Sequence, residues 1–215
     1  MTKTRDRIIH SATELFNDQG ERNITTNHIA AHMGISPGNL YYHFRNKEDI
    51  IHSIFDQYAR HLSESFVPTR NREITLQDLM GYLDAIFYLM WQFRFFYANL
   101  PDILSRDEPL QQKYLKAQEQ MRSSVVALLR SLREGGIIDV SDEDLPDLGQ
   151  TIKMVVTCWI PFQIAQAPNT RITKPLLYQG VLKVLFLLRP YVQPQVAGQI
   201  QQLEQHYRQL AQPAG

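Results

Sequence analysis

The chain has 215 residues, 44% of them hydrophobic, enough for a small module beside a larger body with a sizeable core. Its 22 Lys and Arg balance 22 Asp and Glu, so bulk charge gives no attraction to nucleic acid or to an acidic membrane surface, and such binding has to rest on particular positions. The single cysteine, Cys158, excludes an internal disulfide and a cysteine-based metal site; charges at Arg5, Asp6, Arg7, Glu14 and Asp18 interrupt any export signal, and the expectation is a cytoplasmic protein.

Ile8, Ala12, Leu15 and Phe16 fall at i, i+4, i+7 and i+8, which predicts a first helix over residues 4–19, stopped at Gly20. Thr25 or Thr26 caps a short second helix carrying Ile29, Ala30 and Met33, and Gly34 supplies the left-handed residue that ends it. Ser36 and Pro37 read as N-cap and first residue of a brief third helix ending near Phe44. Lys47 opens a fourth, through Ile50, Ile51, Ile54, Phe55 and Tyr58, that bridges into the second domain. Residues 67–73, with Pro68, read as a loop. Thr75 then caps one long helix reaching Leu100, and further helices follow over 108–134, 142–167, 174–189 and 194–211. No useful period-2 alternation appears. The reading is all-α, with a three-helix helix-turn-helix domain over residues 1–50 and a larger helical domain over 51–215.

The segment 25–47 joins two helices through Gly34-Ile35-Ser36, and its second helix, about 10 to 12 Å long at ~1.5 Å per residue, fits the roughly 12 Å width of a DNA major groove. Ile35, Leu40 and Phe44 point back to a small core, leaving Pro37, Gly38, Asn39, Tyr42 and His43 outward, with Tyr41 at the edge. Asn39 suits adenine, Pro37 a thymine methyl, and the tyrosines, His43 and Lys47 suit phosphates. Thr25 and Thr26, followed by Asn27, sit at a helix N-terminus, where free amides favour a phosphate. Charge adds little, since residues 1–47 hold six Lys or Arg against four Asp or Glu.

Ile29-Ala30, then Gly34-Ile35-Ser36, then the run from Leu40 through Tyr41, Tyr42, His43, Phe44, Arg45, Asn46 and Lys47 to Glu48 resembles the DNA-binding signature of the TetR family of transcriptional regulators. The resemblance covers roughly residues 5–55. It implies that Thr26, Asn27, Ser36, Pro37, Gly38, Asn39, Tyr41, Tyr42, His43 and Lys47 occupy operator-contacting positions. It also implies a homodimer on double-stranded operator DNA, repression as the commoner mode, and a small-molecule effector site in the second domain.

Within that domain residues 79–100 carry Tyr82, Phe87, Tyr88, Trp91, Phe93, Phe95, Phe96 and Tyr97 with only Asp84 and Arg94 as charges, a pattern for burial inside a helical body rather than a bilayer. Residues 151–167 repeat the theme, with Lys153 as the lone charge and Pro161 as a kink. The two segments point to a cavity for a hydrophobic or aromatic effector, with Trp91, Phe95, Met121, Met154, Trp159 and Phe162 as lining and Arg94 or Gln163 as polar anchor. Cys158, in an apolar run, reads as a small buried hydrophobe. Residues 176–188 are apolar on every face, which calls for two partners: the domain itself and a second copy. No catalytic constellation, cofactor motif or metal set is legible, the pair His28 and His32 at i, i+4 being the one combination worth testing as a metal site.

Overall fold

The computed structural model describes residues 3–67, 72–167 and 170–213. Among them ten α-helices form: α1 (Lys3–Gln19), α2 (Thr26–His32), α3 (Pro37–His43), α4 (Lys47–Ser65), α5 (Leu76–Gln92), α6 (Arg94–Ser105), α7 (Glu108–Glu134), α8 (Leu145–Gln166), α9 (Lys174–Leu188) and α10 (Ala197–Leu210). The fold is all-α, with no strand among the described residues. Pro68, expected in a loop, lies outside them.

Local chemistry sets the boundaries of the first four helices. Thr25 Oγ1 accepts the His28 amide at 3.3 Å, and the His28 ring accepts the Thr25 amide at 3.3 Å, a reciprocal cap that occupies one nitrogen of His28. Gly34, at φ 65°, ends the α2 turn in the left-handed region that a side chain would oppose. Ser36 Oγ accepts the Asn39 amide at 3.2 Å ahead of Pro37, which opens α3. Asn46 Oδ1 accepts the Asp49 amide at 2.8 Å and so starts α4 at Lys47.

The stretch expected as one helix from Thr75 to Leu100 is two. Phe93 leaves helical geometry at φ −118°, ψ 33°, and α6 continues through Pro101 to Ser105 with a kink at Asn99. Buried Phe93 meets the Tyr58 ring edge-on at 5.4 Å, and packing of that aromatic overrides local helix propensity. Pro101, with no amide to donate, accounts for the second irregularity.

One continuous core runs along α4. In the N-terminal head, formed by α1 to α3 and the first half of α4, Ile8, Ile9, Ala12 and Phe16 of α1 bury against Ile29, Ala30, Leu40, Ile50 and Ile54. Further along, Phe55 and Tyr58 pack on Phe96 at 5.8 and 6.1 Å between ring centroids, so α4 belongs to both the head and the body. In the body, α8 crosses α9 where Trp159 lies on Gly180, and its indole N–H donates to the Leu176 carbonyl at 2.8 Å. On α10, Ile200 and Tyr207 turn inward, and the Tyr207 hydroxyl donates to Asp84 at 2.7 Å. Cys158, expected to be buried, is exposed. With Met154 and Phe162, at 58% and 53% exposure, it recurs every fourth residue along the outer face of α8, because a helix apolar all round buries only the face turned to its own body.

Candidate nucleic-acid interface

The surface presented by α3 and the start of α2 is built from the capping geometry above. Ser36, Pro37, Gly38 and Asn39 are exposed, as are Tyr41 at 49% and Tyr42 at 86%. His43 is half-buried and meets the Tyr42 ring edge-on at 5.1 Å. Tyr41 and Tyr42 thus leave large aromatic surface open to solvent on a small module. Thr26 Oγ1 lies 3.0 Å from the Tyr41 hydroxyl and ties the two helices together on that face. Asn27 is exposed beside it. Thr25, though exposed, has its hydroxyl committed to the α2 cap.

Lys47 is placed differently. Its ammonium is turned inward, 2.8 Å from Glu21 Oε1 and 3.0 Å from the Glu21 carbonyl, with the side chain 19% exposed. Arg106, just past α6, reaches Glu21 Oε2 at 2.9 Å and Asp102 at 3.1 Å, and Asp102 is bound in turn by Arg22. Arg45 is paired with Asp49 at 2.9 Å, its hydrogen bond holding that carboxyl below its usual range. Half of the head's Lys and Arg residues, Arg22, Arg45 and Lys47, are therefore paired within the chain, while Lys3, Arg5 and Arg7 form no ion pair among the described residues, Arg5 bonding Ser53 instead.

Inside the body, residues of α4 to α9 line a partly open cavity of about 90 Å³. Lys153, bonded to the Gln118 carbonyl, stands at one end of the cavity's run along α7 and Leu132 at the other; Tyr58, Tyr97 and Thr157 line it together with Lys153 and adjoin a smaller pocket, and Phe66 stacks on Tyr82 in its apolar wall. Burial, and then the neighbouring Tyr58 hydroxyl, push the Tyr97 phenol well above its usual range. Burial lowers Lys153, and the Arg122 charge adds to that.

Residues 8–54 match the family model described as bacterial regulatory proteins, tetR family, and residues 57–200 match the model TetR, bacterial transcriptional repressor. The chain belongs to the TetR family. It is thus a DNA-binding transcriptional regulator of the repressor type, with a helix-turn-helix head and a larger helical domain. A TetR-family transcriptional regulator from Marinobacter aquaeolei VT8 is 40% identical and superposes with a TM-score of 0.86 over 96% of this chain and 100% of that one. KstR2 of Mycobacterium tuberculosis, a ketosteroid transcriptional regulator, shares the fold at 20% identity and a TM-score of 0.64 over 90% of this chain and 97% of its own. SmeT in complex with triclosan does so at 18% and 0.60, over 91% of this chain and 94% of its own. An HTH-type transcriptional regulator of Staphylococcus aureus (strain USA300) is 38% identical over 55 residues, 26% of this chain and 30% of the relative's length, so that likeness concerns only a fraction of either protein.

In this TetR-family regulator the eight residues expected around an effector are dispersed. Met121 lines the cavity. Phe95 packs on Phe16 at 5.3 Å and seals the head to the body. Trp91 and Arg94 border a polar cleft between α1 and the body, where Arg94 stacks 4.2 Å over Trp91 and bonds Asp18 at 2.7 Å. Trp159 is buried against α9, Met154 and Phe162 lie on the outer stripe of α8, and Gln163 is half-buried away from the cavity wall. The wall is richer in leucine than in aromatics. Of its polar members, only Lys153, as the one charge in an apolar stretch, carried a signal in the sequence. Glu21 carried none, because its partners lie 26 and 85 positions away.

Among the described residues no helix is long and apolar enough to cross a membrane, and no group of three or more His, Cys, Asp and Glu could hold a metal ion.

Proposed function

We propose that this protein is a homodimeric repressor whose two α3 helices read a nearly palindromic operator, and that a small molecule entering the body cavity releases it. The observation that carries this reading is the outward, unpartnered face of α3. Asn39 is placed for base edges and Pro37 for a thymine methyl; Tyr41, Tyr42, His43 and the α2 residues Thr26 and Asn27 are placed for the backbone. One helix of this length makes too few contacts for tight binding, so two copies act together. The exposed stripe Met154, Cys158 and Phe162 on α8, with Phe186 at 59% exposure on α9, is the surface on which they meet.

Two helices connect cavity to head. On α4, Tyr58 lines the cavity and Lys47 grips Glu21; on α6, Tyr97 lines the cavity, and Arg106, immediately after it, grips the same carboxylate. A molecule that parts α4 from α6 bears on both clasps at once and tilts the head. A coupling of about 1–3 kcal/mol changes operator affinity by roughly 5- to 150-fold.

The test is binding of the full-length protein to its operator, selected from random DNA. The selected site should be two-fold symmetric, and about five base pairs inserted between half-sites should abolish tight binding by turning them to opposite faces of the duplex. An asymmetric site bound as tightly by a monomer would refute the reading.

A further inference from the structure

We propose that the cavity takes an amphipathic carboxylate, its aliphatic body along the leucine-lined end and its single carboxylate against the Lys153 ammonium. This rests on the effector reading above and adds the chemical class of the molecule.

Lys153 is the one charged side chain in the cavity wall. Its ammonium bonds the Gln118 carbonyl at 3.2 Å and pairs with no carboxylate among the described residues. The nearby Glu119 is bound by Arg122 at 2.6 Å. An ammonium has three donors, so two are left for an incoming anion, and a half-buried charge without a counter-ion is a standing penalty that a carboxylate relieves. The hydroxyls of Tyr58, Tyr97 and Thr157 stand at the same end and can bond the second oxygen.

The opposite end has nothing to offer a polar group. Tyr82 is its one hydroxyl, and that already donates to the Val67 carbonyl at 3.1 Å. Along α7 the wall runs from Gln118 to Leu132, about 21 Å at ~1.5 Å per residue, which makes the space elongated. One polar end, a long apolar barrel and an unpaired cation together select a chain with an acid at its tip.

Calorimetric titration of the full-length protein with hexanoate, octanoate, decanoate and dodecanoate, beside the matching primary alcohols, tests this. Kd should fall about fourfold per added methylene until the cavity is full. Each acid should bind about ten- to a hundredfold tighter than its alcohol. Lys153→Met should erase that preference, weakening the acids far more than the alcohols, and Lys153→Arg should restore part of it. Leu129→Trp, filling the cavity, should abolish binding of both.

Acids no tighter than alcohols in the unmodified protein, a preference that survives Lys153→Met, binding undiminished in Leu129→Trp, or no binding by the acids would each overturn the inference. Operator affinity is followed separately. Acids that bind as expected yet leave it unchanged refute the release mechanism and leave this chemistry standing, whereas release by an uncharged molecule alone does the reverse.

Discussion

The Lys47 ammonium lies 2.8 Å from a carboxylate oxygen of Glu21, whose side chain is 1% exposed, and Arg106 holds the other oxygen at 2.9 Å. A residue expected from the signature to contact the operator is thus engaged within the protein. Glu21→Ala should leave Lys47 without its counter-ion, lowering stability by about 1–3 kcal/mol in urea unfolding, toward the low end because Arg106 is partly exposed. Lys47→Met should weaken operator and random DNA alike while changing the salt slope by less than about one, since its charge is already neutralised. A full unit of slope lost with unchanged stability would show that Lys47 swings out to a phosphate.

The Asn39 side chain forms no hydrogen bond among the described residues and stands on the exposed face of α3. Asn39→Ala should relax discrimination at one base-pair position of each half-site by about 1–3 kcal/mol and leave random-sequence binding intact. Fluorescence anisotropy on single-substitution operators measures it, and an equal loss on every sequence would remove the base-reading role.

Phe186 is 59% exposed on α9, with the Arg189 guanidinium 5.4 Å from its ring. Phe186→Asp should leave the helical content unchanged but yield monomers in sedimentation, with operator affinity falling by at least tenfold. Dimers that persist with full affinity would relocate the interface.

A Cβ at Gly180 would stand 2.7 Å from Cδ1 of Trp159. Gly180→Ala should therefore force α8 and α9 apart and cost about 1–3 kcal/mol, read from chemical unfolding. Combining it with Trp159→Phe should recover part of the loss; strict additivity of the two would show that the contact is not the cause.

Arg72 bonds both oxygens of Asp78 at 2.6 and 2.8 Å, and this, beyond the opposing effect of burial and aided by the Thr75 amide at 2.7 Å, holds the carboxyl far below its usual range. A depressed folded-state pKa contributes stability that is present above about pH 4 and fades as acid protonates the folded carboxylate. Asp78→Asn should therefore cost about 1–2 kcal/mol near neutral pH, and the gap from the unmodified protein should narrow as pH falls from about 5 toward 2. A gap independent of pH would assign the effect to the cap alone.

Short-range chemistry made the reading head legible. Thr25, Gly34, Ser36, Pro37 and Asn46 act on amides within a few residues, so the bounds of α2, α3 and the start of α4, and with them the outward face of Asn39 and Tyr42, follow from the sequence alone. The body was legible only as apolar helices. A segment hydrophobic on every side cannot announce which face meets the core, the cavity or a second copy. That choice put Tyr97, Lys153 and Thr157 on the cavity wall and turned Cys158, Met154 and Phe162 outward. Packing of Phe93 on Tyr58 broke one expected helix into two, and the clasp of Glu21 by Lys47 and Arg106 joins positions 26 and 85 residues away. Such contacts depend on how helices are brought together, and no periodicity along the chain records them.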